Sequence, residues 1–168
     1  MRKGKDAAGL LVITRDTGRK MGKIEDLVLD RQGSRVLGIL VDEAGWFKEA
    51  KVVAWPLFRV IGLDAVIVDD ETSVKKASEV PEISEVLERG NVLIGARVAT
   101  TDGRELGKIE DFYFDPQTGA VKGFELSGGK GRSFLPAPAG LQTGEDVALV
   151  DPSAVDTIID LKEALRDA

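Results

Sequence analysis

The chain has 168 residues, 23 Lys and Arg against 29 Asp and Glu, a net charge of −6, and neither His nor Cys. Those absences close off zinc sites of the usual ligand types, Ser-His triads, thiol nucleophiles, disulfides, and haem or iron–sulfur ligation. Hydrophobic residues at 43% beside 31% charged residues read as a folded, soluble protein, and no apolar run approaches the ~20 residues of a membrane span.

The charge is unevenly spread. Residues 1–90 carry 15 Lys/Arg against 16 Asp/Glu, whereas residues 91–168 carry 8 against 13. Duplex binding needs clustered positive charge, and the acidic second half opposes it. The first 35 residues are locally basic, with nine cations against five acids, and motivate an RNA-contact alternative. The expected compartment is the cytoplasm, with peripheral membrane association as a further alternative.

In chain order, Leu11-Val12-Ile13-Thr14 reads as a strand running into a turn at Asp16-Thr17-Gly18-Arg19. Next comes Met21-Gly22-Lys23-Ile24-Glu25-Asp26-Leu27-Val28-Leu29-Asp30. Its apolar positions 24, 27 and 29 break strict alternation, which predicts a strand bulged near the acidic pair. The turn Arg31-Gln32-Gly33-Ser34 opens a strand over 36–41 centred on Gly38, and a mid-strand glycine permits the coiling that closes a small barrel. The loop 43–49 holds Trp46 and Phe47 beside Lys48. Two adjacent large aromatics on one hairpin cannot easily both point inward, so Trp46, Phe47 and Lys48 are the candidate interaction residues. Trp55-Pro56 reads as a strand entry with Trp55 in the core, and 64–69 as a short last strand. A helix is predicted over 81–89, with Ile83, Val86 and Leu87 on one face and Gly90 as its stop.

The second half then repeats the first. Gly22-Lys23-Ile24-Glu25-Asp26 returns 85 positions later as Gly107-Lys108-Ile109-Glu110-Asp111. At the same offset Leu27, Leu29 and Asp30 match Phe112, Phe114 and Asp115, and Gly38 matches Gly123. The loop after this strand is shorter, Gly128-Gly129-Lys130-Gly131-Arg132, and the copies rejoin at Trp55-Pro56 and Leu135-Pro136. A final helix is predicted from an Asp151 cap and Pro152, with Ala154, Ile158, Leu161 and Leu165 as its apolar stripe. A repeat of domain size makes the chain two copies of one folding unit. The expected organisation is a first unit over 1–76, a linker helix over 77–90, and a second unit with its C-terminal helix over 91–168.

This ordered set, occurring twice over about 11–70 and 93–151, resembles the PRC-barrel family. That family includes the C-terminal domain of the photosynthetic reaction-centre H subunit and the second domain of the ribosome maturation factor. The resemblance implies a mainly β fold of two tandem small barrels, half open, each of five or six strands and each followed by a short helix. It carries Gly22, Ile24, Asp26, Asp30 and Gly38, with Gly107, Ile109, Asp111, Asp115 and Gly123, as fold-defining positions. The function it implies is adaptor-like: docking onto a larger assembly, RNA-protein or membrane-bound, which is read here as binding to protein partners. Tandem copies with short sheet edges commonly pack against each other, or pair across a homodimer.

The residues offer few alternatives to that reading. Glu25/Asp26 and Glu110/Asp111 invite a cation site or a Mg-assisted hydrolase, but no Asp-x-Asp-x-Asp-Gly loop is present, and turn capping is the simpler role. The glycine-rich 128–132 lacks the spacing of a phosphate loop and reads as a hairpin tip. No catalytic residue, metal ligand or cofactor is expected.

Overall fold

The structure is a computed structural model that describes all residues except 43–48, 59, 91–92, 130, 138–139 and 167. The N-terminal segment contributes β1 (Arg2–Lys3), and the first copy contributes β2 (Leu11–Thr14), β3 (Lys20–Leu29), β4 (Val36–Asp42), β5 (Lys51–Ala54), β6 (Ala65–Val68) and β7 (Lys75–Lys76). The second contributes β8 (Arg97–Thr100), β9 (Glu105–Phe114), β10 (Val121–Gly128), β11 (Gly131–Pro136), β12 (Gln142–Thr143), β13 (Val147–Val150) and β14 (Ile159–Asp160). Two helices, α1 (Pro81–Glu88) and α2 (Leu161–Arg166), follow the respective copies.

The strands form two open sheets, neither of them a closed cylinder. One has six strands in the order β6-β2-β3-β4-β5-β7, and the other eight, β12-β13-β8-β9-β10-β11-β14 with β1 added against β9. Eight exceeds the expected five or six because β1, β12 and β14 are two-residue additions at edges. In each copy the first strand runs antiparallel to the long second one, and parallel to the last long strand.

The expected bulge beside the acidic pair is present, and it is one of three. In the first copy the ladders skip Met21, Glu25 and Leu37; in the second they skip Leu106, Glu110 and Lys122, at the same offset. Each skipped residue bends its strand and raises its twist. The Glu25 bulge is what turns Ile24, Leu27 and Leu29 to one face, and all three are at most 2% exposed.

Gly38 and Gly123 serve a purpose other than coiling alone. A Cβ at Gly38 would lie 2.8 Å from Cδ1 of Ile83 on α1, and one at Gly123 would lie 2.6 Å from the Leu135 carbonyl and collide with the Phe134 ring. Both glycines are close-approach positions where a neighbour packs directly onto the strand backbone.

The α1 prediction holds. Ile83 and Val86 bury against Val28, Leu37 and Val52, and Gly90, with φ of 76°, follows the helix end. The second predicted helix is not continuous. Asp151 caps Ser153 as expected, but Pro152–Thr157 form a 3₁₀ turn, Ile158 is extended, and β14 intervenes before α2. Two local interactions break it. Thr157 donates its hydroxyl to the Ala154 carbonyl at 2.7 Å, and Asp160 accepts from Lys162 N–H at 2.8 Å and so starts a new helix. Leu165 is consequently 42% exposed instead of facing the core.

The two copies share one core. A single buried cluster takes in Ile24, Leu27 and Ile39 together with Ile109, Phe112 and Phe124. Their seam is two-fold symmetric in its hydrogen bonds. Val36 N–H donates to Gly119 at 2.8 Å and Val121 N–H donates to Ser34 at 2.9 Å, on either side of an Arg35–Ala120 bridge. Residues 34–36 and 119–121 are the same positions of the repeat, so a pseudo-two-fold axis passes through that bridge.

The strand ladders also correct the alignment after the divergent loop. Ile39 pairs Val53 and Phe124 pairs Leu135, so Val53, not Trp55, is the counterpart of Leu135. Unequal loop lengths hide this in the sequence. Trp55 lies in the turn beyond β5, partly buried, edge-on to Phe58 and against the backbone of Gly119 across the seam.

Candidate interaction surface

The candidate residues Trp46, Phe47 and Lys48 lie outside the described residues. The acids singled out in the sequence are described, and the aspartates among them, Asp26, Asp30, Asp111 and Asp115, accept from main-chain N–H groups. Asp30 accepts from Ser34 N–H at 2.6 Å and Asp115 from Gln117 N–H at 2.8 Å, each fixing the turn that meets the seam. Hydrogen bonding from the Gln117 backbone holds the Asp115 carboxyl below its ordinary pKa. Glu110, on its bulge, accepts from the Ser127 hydroxyl, and that bond lowers its pKa. Turn capping and bulge support account for these carboxylates without a ligand.

Within the sheets, the copies differ on the outer face. In the first copy this face is apolar and covered by α1. In the second, Tyr113 stands where the first has Val28, and Glu125 where it has Leu40. Glu125 is 0% exposed. It accepts from Lys3 Nζ at 2.7 Å, from the Tyr113 hydroxyl at 3.3 Å, and from Arg132. Burial alone pushes its carboxyl up, but the bonds from Lys3 and Arg132 outweigh that and hold it below the ordinary range. The bond to Glu125 raises the Lys3 ammonium in turn.

Asp111 makes the second tie. It is 2% exposed, whereas its repeat partner Asp26 is exposed, because the N-terminal segment lies over it. Lys5 N–H donates to Asp111 at 3.2 Å, and Gly4 packs on the Phe112 ring. Burial pushes the Asp111 carboxyl up, against the N–H bonds from Phe112 and Lys5. Residues 2–7 thus precede the first copy in sequence and are built onto the second. Arg2 then reaches back across the seam to the carbonyls of Ile61 and Gly62 in the first copy. The sequence reading missed Glu125, although an acid opposite Leu40 in the aligned repeat was the available signal.

Four of the nine cations in the first 35 residues pair with acids. Arg19 pairs Glu71, Arg31 pairs Glu85 and Arg35 pairs Glu82, while Lys3 is bound to Glu125.

Two grooves flank the pseudo-axis where each copy's turn meets the other's last hairpin. One, of about 600 Å³, lies between Asp30, Arg31 and the tip Thr143-Gly144-Glu145, with α1 contributing Val86 and Arg89. The other, of about 800 Å³, lies between Pro116 and the tip Ile61-Gly62-Leu63, with Leu165 from α2 and Met1 at its edge. The equivalent tips close by the same bond, Gly144 N–H to Val147 and Gly62 N–H to Ala65. The frame is shared, but the linings are not: Asp30, Arg31, Arg89 and Glu145 rim one groove, whereas the other sets Met1, Leu63 and Leu165 beside Arg2, Lys3 and Asp6.

A doubled, bulged sheet with a shared core defines a class of small β-barrel modules. The PRC-barrel domain model matches residues 1–75 and 85–156, most of the chain, and the protein belongs to the PRC-barrel family, as two tandem domains. No curated protein matches the chain. Among the described residues no helix is long and apolar enough to cross a membrane.

Proposed function

We propose that the protein is a non-enzymatic interaction module that docks a protein partner within a larger assembly. One observation carries the reading: two grooves related by the pseudo-axis keep the same frame but present different linings. The tips differ most, with an exposed leucine, Leu63, in one groove where the other has Glu145, and an exposed large apolar side chain at a groove rim supports a contact role. The buried ionisable groups support a non-catalytic role, since Glu125 and Asp111 are spent on holding the chain's own N-terminal segment. The pairing of Arg19, Arg31 and Arg35 with acids favours protein over RNA as the partner.

The test is cross-linked affinity capture from the native host, comparing wild type with Trp46→Ala/Phe47→Ala, with and without ribonuclease. A defined set of proteins that survives ribonuclease and is lost in the double variant supports docking through the 43–49 loop. Recovery abolished by ribonuclease would move the protein to the ribosome- or RNA-associated class. Recovery only with anionic membranes would move it to a peripheral membrane role.

A further inference from the structure

The larger groove has a feature that its pseudo-symmetric mate lacks. Its tip residue Leu63 is 85% exposed, far more than any other large apolar side chain described. The same position of the other tip is Glu145, in a turn closed by the same hydrogen bond, so the turn itself does not ask for leucine. Leu165, 42% exposed, and Met1, 39% exposed, join it around the cavity of about 800 Å³, with Pro116 and buried Ile61 behind them and Arg2, Lys3 and Asp6 completing the lining. Exposed apolar side chains gathered around a cavity of that size, with charged residues between them, mark a contact surface.

The charges at this lip are arranged as an unmatched pair. The Arg2 guanidinium is spent on main-chain carbonyls only. Nη1 donates to Ile61 at 3.1 Å and to Gly62, and Nη2 makes long exposed contacts of 3.4 Å to Asp6 O and 3.5 Å to Leu63 O. Among the described residues it meets no carboxylate. Beside it the exposed tip reads Leu63-Asp64, and the Asp64 carboxylate has no cation among the described residues. The chain therefore presents, within one patch, both an apolar knob followed by an acid and a partly apolar cavity whose rim carries an arginine with no ion pair among the described residues. A surface of that kind is complementary to itself under a two-fold rotation.

We propose that this groove is a homodimer interface, occupied by a second copy of the same chain. Leu63 of each chain enters the cavity of the other, and Asp64 of each meets the other's Arg2. The contact is isologous, so it closes at two chains and does not propagate. With a net charge of −6 on each chain, association must place unlike charges opposite one another, and the Arg2–Asp64 pairs do so. The proposal goes beyond partner docking and does not depend on it.

Sedimentation velocity on the purified full chain tests it, using the 18.0 kDa mass of one chain as reference. The expected wild-type behaviour is a concentration-dependent rise to twice that mass with a dissociation constant on the order of 10 µM. Leu63→Glu, a surface change that mimics Glu145, should weaken the dimer at least about tenfold. Arg2→Glu and Asp64→Arg should each weaken it alone, because two like-charge contacts replace two unlike ones. An equimolar mixture of those two single variants should dimerise again, since both contacts are then between opposite charges. Should Arg2→Glu disturb the Leu63 tip, Leu63→Glu and Asp64→Arg still decide the matter from the surface alone. A wild-type chain that stays monomeric to about 200 µM overturns the proposal. So does a Leu63→Glu variant that dimerises as tightly as wild type.

Discussion

Replacing Lys3 by Met removes one of the two cations that neutralise a fully buried carboxylate. The contact is a charge-assisted bond of 2.7 Å, and Glu125 is 0% exposed while the Lys3 side chain is 27% exposed. Hydrogen bonds to charged groups contribute about 1.5–3 kcal/mol, and breaking a buried ion pair outright costs about 3–5 kcal/mol. Arg132 stays in place to neutralise Glu125, and the partly exposed Lys3 already shares its bond with water, so the loss falls to about 1–2 kcal/mol. For a chain of this size that corresponds to a melting temperature lower by about 2–8 °C. Urea denaturation of four proteins decides the origin of the effect: wild type, Lys3→Met, Glu125→Leu and the double variant. Glu125→Leu installs the first copy's solution, Leu40, and frees Lys3 to reach water, so on its own it should be close to neutral or stabilising. In that background Lys3→Met should cost less than about 0.5 kcal/mol. Equal costs for Lys3→Met in both backgrounds would refute the assignment of the N-terminal segment's attachment to the buried pair.

Other outcomes are equally specific. Gly123→Ala should destabilise by about 2–3 kcal/mol in thermal unfolding, because its Cβ meets the Leu135 carbonyl and the Phe134 ring. Gly129→Ala, at φ of 60° in open space, should cost only about 1 kcal/mol. Asp111 has a carboxyl pKa raised by burial, so it weakens the fold above its folded pKa, and that penalty is relieved as the pH falls through that value. Relative to Asp111→Asn, wild type should gain stability on going from pH 7 towards that pKa, as measured by urea midpoints across the range. Glu125 has the opposite sign: its lowered pKa gives stability that is present above the unfolded carboxylate value and is lost as the pH falls through the folded one.

Much of the fold was legible because the repeat supplies its own comparison. Ile24, Leu27 and Leu29 broke strand alternation in a way only a bulge repairs, and the same break at Ile109, Phe112 and Phe114 made it a property of the unit. The α1 stripe and its glycine stop were likewise local signals. What escaped was set by tertiary partners. Residues 152–166 carry a helix-like apolar stripe, yet the local bonds at Thr157 and Asp160 interrupt it and Ile159 and Asp160 pair with Phe134 and Ser133 on β11, a tertiary contact that no local pattern announces. Trp55 reads as a strand residue in the sequence because unequal loops hide the register that the ladder fixes. The buried role of Asp111 depends on a segment some hundred residues away in sequence, and no local pattern carries that. The functional surface was the least legible, since exposure of Leu63 and the unmatched Arg2 emerge only once the two copies are placed about their axis.

The central claim is that two PRC-barrel repeats form one cooperative body whose seam is structural. Native-state hydrogen exchange on the full chain tests it by comparing amides of β3 and β4 with those of β9 and β10. A shared core predicts that the slowest amides of both copies exchange with the same free energy, equal to that of global unfolding, and that Gly119→Ala at the seam lowers both together. Two distinct plateaus, with the seam variant lowering only one, would contradict it and return the molecule to two independent barrels.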